Sequence, residues 1–124
     1  MGFPSLTDSE LEKAFKREDL LRATGQQIIK DFAEFSLELQ FGGDVADFYL
    51  ELFGQMRKHV DDLMGENGEK FFNLLYRIDV SADEIGSYQK QFPHVPLPDV
   101  ITELIIHREL KKVLIKDYFR SSRH

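Results

Sequence analysis

The segment from Asp99 to Phe119 most constrains the fold, because as a helix it would have no polar face. At about 100° per residue, its apolar side chains fall on two opposite arcs. One arc holds Val100, Ile101, Leu104, Ile105, Ile115, Tyr118 and Phe119, and the other holds Ile106, Leu110, Val113 and Leu114. A helix that is apolar nearly all round is buried on several sides, in the centre of a bundle or between subunits.

The composition is typical of a soluble single-domain protein. The 124 residues suit one domain, and the 42% of hydrophobic residues beside 31% charged residues excludes a mainly disordered chain. Cysteine is absent, which excludes disulfides, thiolate metal sites and cysteine nucleophiles. The sequence shows neither a membrane-length apolar run nor a secretory signal pattern, so we expect a cytoplasmic protein.

Charge is unevenly distributed along the chain, whose net charge is −6. Residues 107–124 contain six basic and two acidic residues, so the rest of the chain is strongly acidic. An acidic body repels polyanions, which disfavours nucleic-acid binding. Because no apolar run is long enough to span a membrane, we expect no membrane partner. The asymmetry is compatible with contacts between oppositely charged surfaces of two copies.

Capping signals and apolar periodicity predict a compact all-α bundle of about five helices in a single domain, residues 1–124. Helix starts are indicated by capping boxes at Thr7 and Ser81, by Thr24, by Asp44 as an N-cap and by Pro98 in a first turn. The candidate helical segments are residues 7–22, a stretch from Thr24 with helical spacing through Phe35, and residues 45–64, 69–78, 82–91 and 99–119; residues 1–6 and 121–124 are expected to be flexible ends.

Residues 35–41 fit two structures. They alternate apolar and polar side chains, which is the period of a strand, but they could also end the preceding helix with Gly42 or Gly43 as C-cap. We favour an extended segment. A lone strand leaves its backbone groups unpaired, so it would pair with a second copy or with a short partner segment.

Two groups of side chains could carry chemistry. His59, Asp62 and Glu66 follow an i, i+3, i+7 spacing and could hold a divalent metal, although a solvated acidic helix end is the simpler interpretation. Glu103 and His107, one turn apart, could act as a base and its orienting group or form a structural pair. Because phosphate-binding glycine loops and metalloprotease motifs are missing from the sequence, we predict no catalytic residue, metal or cofactor.

Basic residues recur every four positions along the last predicted helix, at Arg108, Lys112, Lys116 and Arg120. This basic stripe could bind phosphate or an acidic partner helix. Cations also interact favourably with a helix C-terminus while their stems cover apolar surface. Arg77, between two helices, is expected to bind helix-end carbonyls or a nearby carboxylate.

Two stretches, LLYRIDVSADE (74–84) and ELIIHRELKKVLIKDYF (103–119), resemble a family of small uncharacterised bacterial all-helical proteins. A looser match covers DFAEFSLELQFGG (31–43). The resemblance implies a cytosolic single domain of about this length. It implies no activity, and no catalytic residue can be transferred from it.

These observations favour a non-enzymatic protein-interaction module, a homodimer formed through the final helix or through paired 35–41 segments. The helix interface would consist of Ile106, Leu110, Val113 and Leu114. The alternative is a small metal-binding protein or enzyme that uses His59, Asp62 and Glu66, or Glu103 and His107. A further alternative is binding of an anion or nucleic acid by the basic stripe.

Overall fold

A computed structural model describes residues 17–42, 44 and 47–121, the side chains of Phe48 and Ser121 excepted. This part of the chain forms five helices: α1 (Glu18–Ala33), α2 (Phe48–Glu66), α3 (Gly68–Ile78), α4 (Ala82–Gln91) and α5 (Leu97–Ser121). It contains no strand, so the predicted all-α bundle is confirmed. The capping box predicted at Thr7 and the ends 1–6 and 122–124 lie outside the described residues.

α5 is the central helix, in contact with each of the other four. Ile101 and Ile105 lie on one of its apolar arcs and Ile106 and Leu110 on the other, and all four are at most 2% exposed. The prediction that this helix is buried on several sides is confirmed. Its sequence has no polar face because neighbouring helices cover it from different directions.

The turns that begin α3 and α4 follow capping chemistry. Asn67 accepts a hydrogen bond from the Lys70 amide at 3.1 Å. The predicted capping box of α4 is confirmed, because the Glu84 amide donates to Ser81 Oγ at 3.1 Å and the Ser81 amide donates to Glu84 Oε1 at 3.2 Å. α3 ends at Ile78, and the next residue, Asp79, adopts a left-handed conformation with φ of 72°.

Two predicted helix starts are wrong. Thr24 lies in the middle of α1 and is buried, and its hydroxyl donates to the Leu20 carbonyl at 2.7 Å. The hydroxyl is therefore satisfied inside the helix and does not cap a new one. Asp44 does not cap α2, which begins at Phe48; the Asp44 carbonyl instead accepts from the Asp47 amide in a turn before the helix.

The predicted segment 35–41 is neither helix nor strand. Its first two residues, Phe35 and Ser36, belong to the turn that ends α1, so the extended interpretation is wrong there, and residues 37–42 follow this turn without regular structure. The side chains of 37–42 alternate between buried and exposed, and Leu37 and Leu39 belong to the core. The alternation of apolar and polar residues therefore predicts correctly which side chains are buried. It does not predict a strand correctly, because no β-ladder forms among the described residues.

Side chains of α2 supply the hydrogen bonds that a neighbouring strand would supply. The Gln40 amide donates to Gln55 Oε1 at 2.8 Å, and Gln55 Nε2 donates to the Gln40 carbonyl at 2.7 Å. One glutamine side chain thus satisfies both backbone groups of Gln40.

The same pairing extends to both sides of Gln55. The Gly42 amide donates to Glu51 Oε1 at 2.8 Å, and His59 Nε2 lies 2.7 Å from the Glu38 carbonyl. Helix residues four apart are separated by about 6 Å, close to the distance between alternate residues of an extended chain, about 6.6 Å. This match of spacings lets a helix face pair with an extended segment, so the segment does not depend on a second copy for these bonds.

Replacing Gln55 tests this pairing. We expect Gln55→Ala to lower the free energy of unfolding by about 1 kcal/mol, since water replaces part of the lost bonding. The Gln40 amide should also exchange its hydrogen with solvent faster, as measured by NMR. Gln26→Ala on the exposed side of α1 is the matched control and should change neither quantity. Unchanged exchange at Gln40 in Gln55→Ala would contradict the pairing.

Candidate functional site

α3, α4 and the first turns of α5 form an apolar surface groove with a volume of about 540 Å³. Its walls include Leu75, Val80, Ile85 and Leu97, together with the polar but uncharged Asn73 and Gln89. Among the described residues no charged side chain lines it. A concave, uncharged surface of this size fits the apolar side chains of a partner.

Two exposed aromatic rings stand on the rim of this groove. Phe72 is 67% exposed and Tyr76 is 88% exposed. They are one helical turn apart on α3 and therefore lie on the same side of it. Large aromatic side chains that remain exposed beside an apolar groove are typical of interaction surfaces.

A different feature lies where α1, α3 and α5 meet. Asp31 of α1 and Glu109 of α5 have no solvent exposure, and their carboxyl groups contact each other. Gln27 Nε2 donates to Asp31 Oδ1 at 3.0 Å. Among the described residues the other three carboxyl oxygens have no hydrogen-bond partner. We call Asp31 and Glu109 the acid pair.

Two cations border the acid pair. Arg77 of α3 makes two hydrogen bonds to Glu34, of 2.8 and 3.2 Å, and its Nη2 lies 3.6 Å from Asp31 Oδ1. Arg77 therefore binds nearby carboxylates, as predicted. Lys112 Nζ lies 3.3 Å from Glu109 Oε1, close enough for an ion pair although it does not have hydrogen-bond geometry.

Burial and the neighbouring Asp31 raise the pKa of Glu109 to about 8, and Lys112 only partly opposes them. Hydrogen bonding to Arg77 has the opposite effect on Glu34 and lowers its pKa. Glu34 and Glu109, which differ in burial and in hydrogen-bond partners, thus differ in proton affinity.

The structure does not bring the predicted metal ligands together. His59 contacts the Glu38 carbonyl, and Asp62 accepts from Lys58 at 3.1 Å, while Glu66 is exposed at the end of α2. Among the described residues no group of three or more His, Asp or Glu side chains could hold a metal ion.

Glu103 and His107 do approach each other, with 3.4 Å between Glu103 Oε2 and His107 Nε2. Both side chains are partly exposed on α5. Burial raises the pKa of Glu103. The pair spans one helical turn, which is the geometry of a structural contact along a helix surface.

The basic stripe does not form one continuous surface. Arg108 is buried and binds Asp79, and Lys112 borders the acid pair. Lys116 and Arg120 are exposed, and Arg120 Nη2 lies 3.3 Å from Asp117 Oδ1. Its first two cations therefore serve internal ion pairs.

The predicted helix interface is divided in the same way. Ile106 and Leu110 are fully buried within the single chain, so neither offers surface to a second copy. Val113 and Leu114 are half-buried and pack against the cluster of Leu20 and Leu110. Only these last two could contribute to a contact between subunits.

The sequence analysis predicted neither the acid pair nor the exposed rings of Phe72 and Tyr76 at the groove. Glu109 lies three and four residues from Ile106 and Ile105, and Asp31 lies three residues from Ile28, so helical spacing already placed both carboxyl groups on buried sides. Helical spacing also separates Phe72 from Phe71. The buried face of α3 follows an i, i+3, i+4, i+7 pattern, and Phe72 and Tyr76 lie off it; that pattern is Phe71, Leu74, Leu75 and Ile78.

Comparison of the chain with protein families, curated proteins and solved structures found no match. Among the described helices, none combines the length and the apolar character needed to cross a membrane.

Proposed function

We propose that this protein is a protein-interaction module that forms a two-fold homodimer through the groove of α3, α4 and the start of α5. The observation that carries the proposal is the position of Phe72 and Tyr76, two exposed rings directly beside an uncharged apolar groove. In a two-fold arrangement each copy supplies the rings that enter the groove of the other, so a single patch is complementary to itself.

The area of this patch suits a weak and reversible dimer. Taking about 200 Å² for a whole aromatic side chain, the exposed parts of Phe72 and Tyr76 amount to about 300 Å² per copy. If groove walls of equal area cover them in both copies, about 1,200 Å² is buried in total, the lower limit for a stable specific interface. We therefore expect dissociation constants in the micromolar range.

Two structural facts favour the groove over the dimer surfaces predicted from sequence. Ile106 and Leu110 already lie in the core of the single chain. The backbone of Gln40 in the 37–42 segment is bonded to Gln55 of α2. The groove combines a cavity with unburied aromatic rings, which neither of those surfaces does.

Removal of the rim rings tests the proposal. We expect wild-type protein to change from monomer to dimer between about 1 and 500 µM in sedimentation equilibrium, the range of a weak interface. Phe72→Ser/Tyr76→Ser should weaken dimerisation at least tenfold, because the residues that fill the partner groove are gone.

The matched control is Tyr118→Ser/Phe119→Ser. These two adjacent rings of α5 are 67% and 59% exposed, and neither lines the groove. Their loss should leave the dissociation constant unchanged. A wild-type protein that stays monomeric up to 500 µM would overturn the homodimer and leave the groove for a helix of another protein. A dimer that survives loss of the rim rings would overturn the groove as its interface.

A further inference from the structure

We propose that Asp31 and Glu109 form a proton-binding site in the core, where their two carboxyl groups share one proton while α1 and α5 are packed together. The site is separate from the groove, and its proposal does not depend on dimerisation. Its ligand is the proton itself.

The distribution of hydrogen-bond donors supports a bound proton. As carboxylates, both groups are only acceptors, and among the described residues only Asp31 Oδ1 receives a hydrogen bond, from Gln27. A proton on Glu109 creates an O–H donor that can bond to Asp31 Oδ2. It thereby satisfies one oxygen on each side of the contact, in a position where water does not reach.

The charges around the site also favour one proton. α1 supplies Asp31, and the turn that follows it supplies Glu34. Arg77 comes from α3, and Glu109 and Lys112 come from α5. With all groups ionised, three carboxylates would face two cations, leaving one negative charge uncompensated in the interior. One proton removes this excess.

Among the described residues, no ion pair joins α2 or α4 to the site. α2 places His59 beside the junction, where it contacts the ring of Phe32 at 6.3 Å between centroids and the carbonyl of Glu38. α4 packs against α5 and makes no contact with α1 among the described helices. The charged groups paired at the site are therefore those of α1 and the turn after it, of α3 and of α5.

Because of this arrangement, separation of α1 from α5 releases a proton. Once hydrated and apart, Glu109 regains its usual pKa of about 4.5 and ionises at neutral pH. Each rise of one pH unit between about 5 and 8 then shifts the equilibrium towards the separated state by up to tenfold. The junction thus responds to alkaline conditions.

Carboxyl-carbon NMR titration of the full chain labelled at glutamate tests the site directly. We expect one resonance, absent from Glu109→Gln, to titrate with a midpoint above pH 6. In Asp31→Asn its midpoint should fall by at least one pH unit, since the adjacent negative charge is removed. Glu103→Gln, on the same helix, is the matched control and should retain the high midpoint.

Two results would overturn the proposal: all glutamates titrating between about pH 3.5 and 5.5, their usual range, or a high midpoint that Asp31→Asn leaves unchanged. A measurement on wild-type protein alone covers the case in which a variant does not fold. Unfolding by denaturant at pH 7 in weakly buffered solution should release about one proton per chain. Absence of this release would equally overturn the shared proton.

Discussion

Glu109→Gln should make the protein more stable at pH 8–9 and should leave its stability nearly unchanged at pH 5. The amide keeps the size of the side chain and removes an ionisation that the buried site disfavours. The effect should be read as the difference in unfolding free energy between variant and wild type, obtained from urea denaturation at each pH.

The sign follows from the pKa of Glu109, which is raised to about 8 in the folded state by burial and by Asp31. A carboxyl group with a raised pKa holds more protons when folded than when unfolded. Its favourable contribution is complete below pH 4.5 and is lost as the pH rises to about 8. We expect the difference between variant and wild type to grow by on the order of 3 kcal/mol between pH 5 and 8.

Glu66→Gln serves as the control for this experiment, because Glu66 is an exposed glutamate at the end of α2. Its unfolding free energy should follow that of the wild type at every pH. Parallel pH profiles for Glu109→Gln and wild type would show that Glu109 does not hold a proton in the folded protein at neutral pH.

Ile106→Ala should cost about 2–5 kcal/mol of unfolding free energy. Ile106 is fully buried in the main hydrophobic core, where the lost side chain leaves a cavity that the surrounding helices cannot completely close. Because the burial lies within one chain, the loss relative to wild type should be the same at low and high protein concentration. Chemical denaturation at two concentrations, at least tenfold apart, measures it.

Val113→Ala gives the comparison on the same apolar arc of α5. Val113 is only half-buried, against the small cluster of Leu20 and Leu110, so its truncation should cost about 1 kcal/mol. If the Ile106→Ala loss grew with protein concentration, Ile106 would stabilise an association between chains, contrary to its burial in the monomer.

Much of the fold could be predicted from local patterns. The capping box at Ser81 predicted the start of α4, because its two hydrogen bonds join residues three apart. The unbroken apolar character of 99–119 predicted a central helix, and five helices pack as an all-α bundle. The predictions at Thr24 and Asp44 failed because the same residue types serve inside helices and turns as well as at caps.

The candidate functional site could be predicted less well than the fold, because its residues come from segments that are far apart in the sequence. His59, Asp62 and Glu66 share a helix, but the His59 ring contacts the Glu38 carbonyl of the extended segment. Asp31 and Glu109 are far apart in sequence and each is unremarkable alone. Only the packing of α1 on α5 makes them neighbours.

The sequence by itself determined the all-helical class, the helix that is buried on several sides and the alternation of apolar and polar side chains in 35–41. Each of these depends on periodicities of two or 3.6 residues, which are properties of a single segment. Tertiary structure decided that α2 pairs with that segment, that Ile106 is core and that Phe72 and Tyr76 border a groove. Those outcomes depend on the relative placement of helices, which local periodicity does not encode.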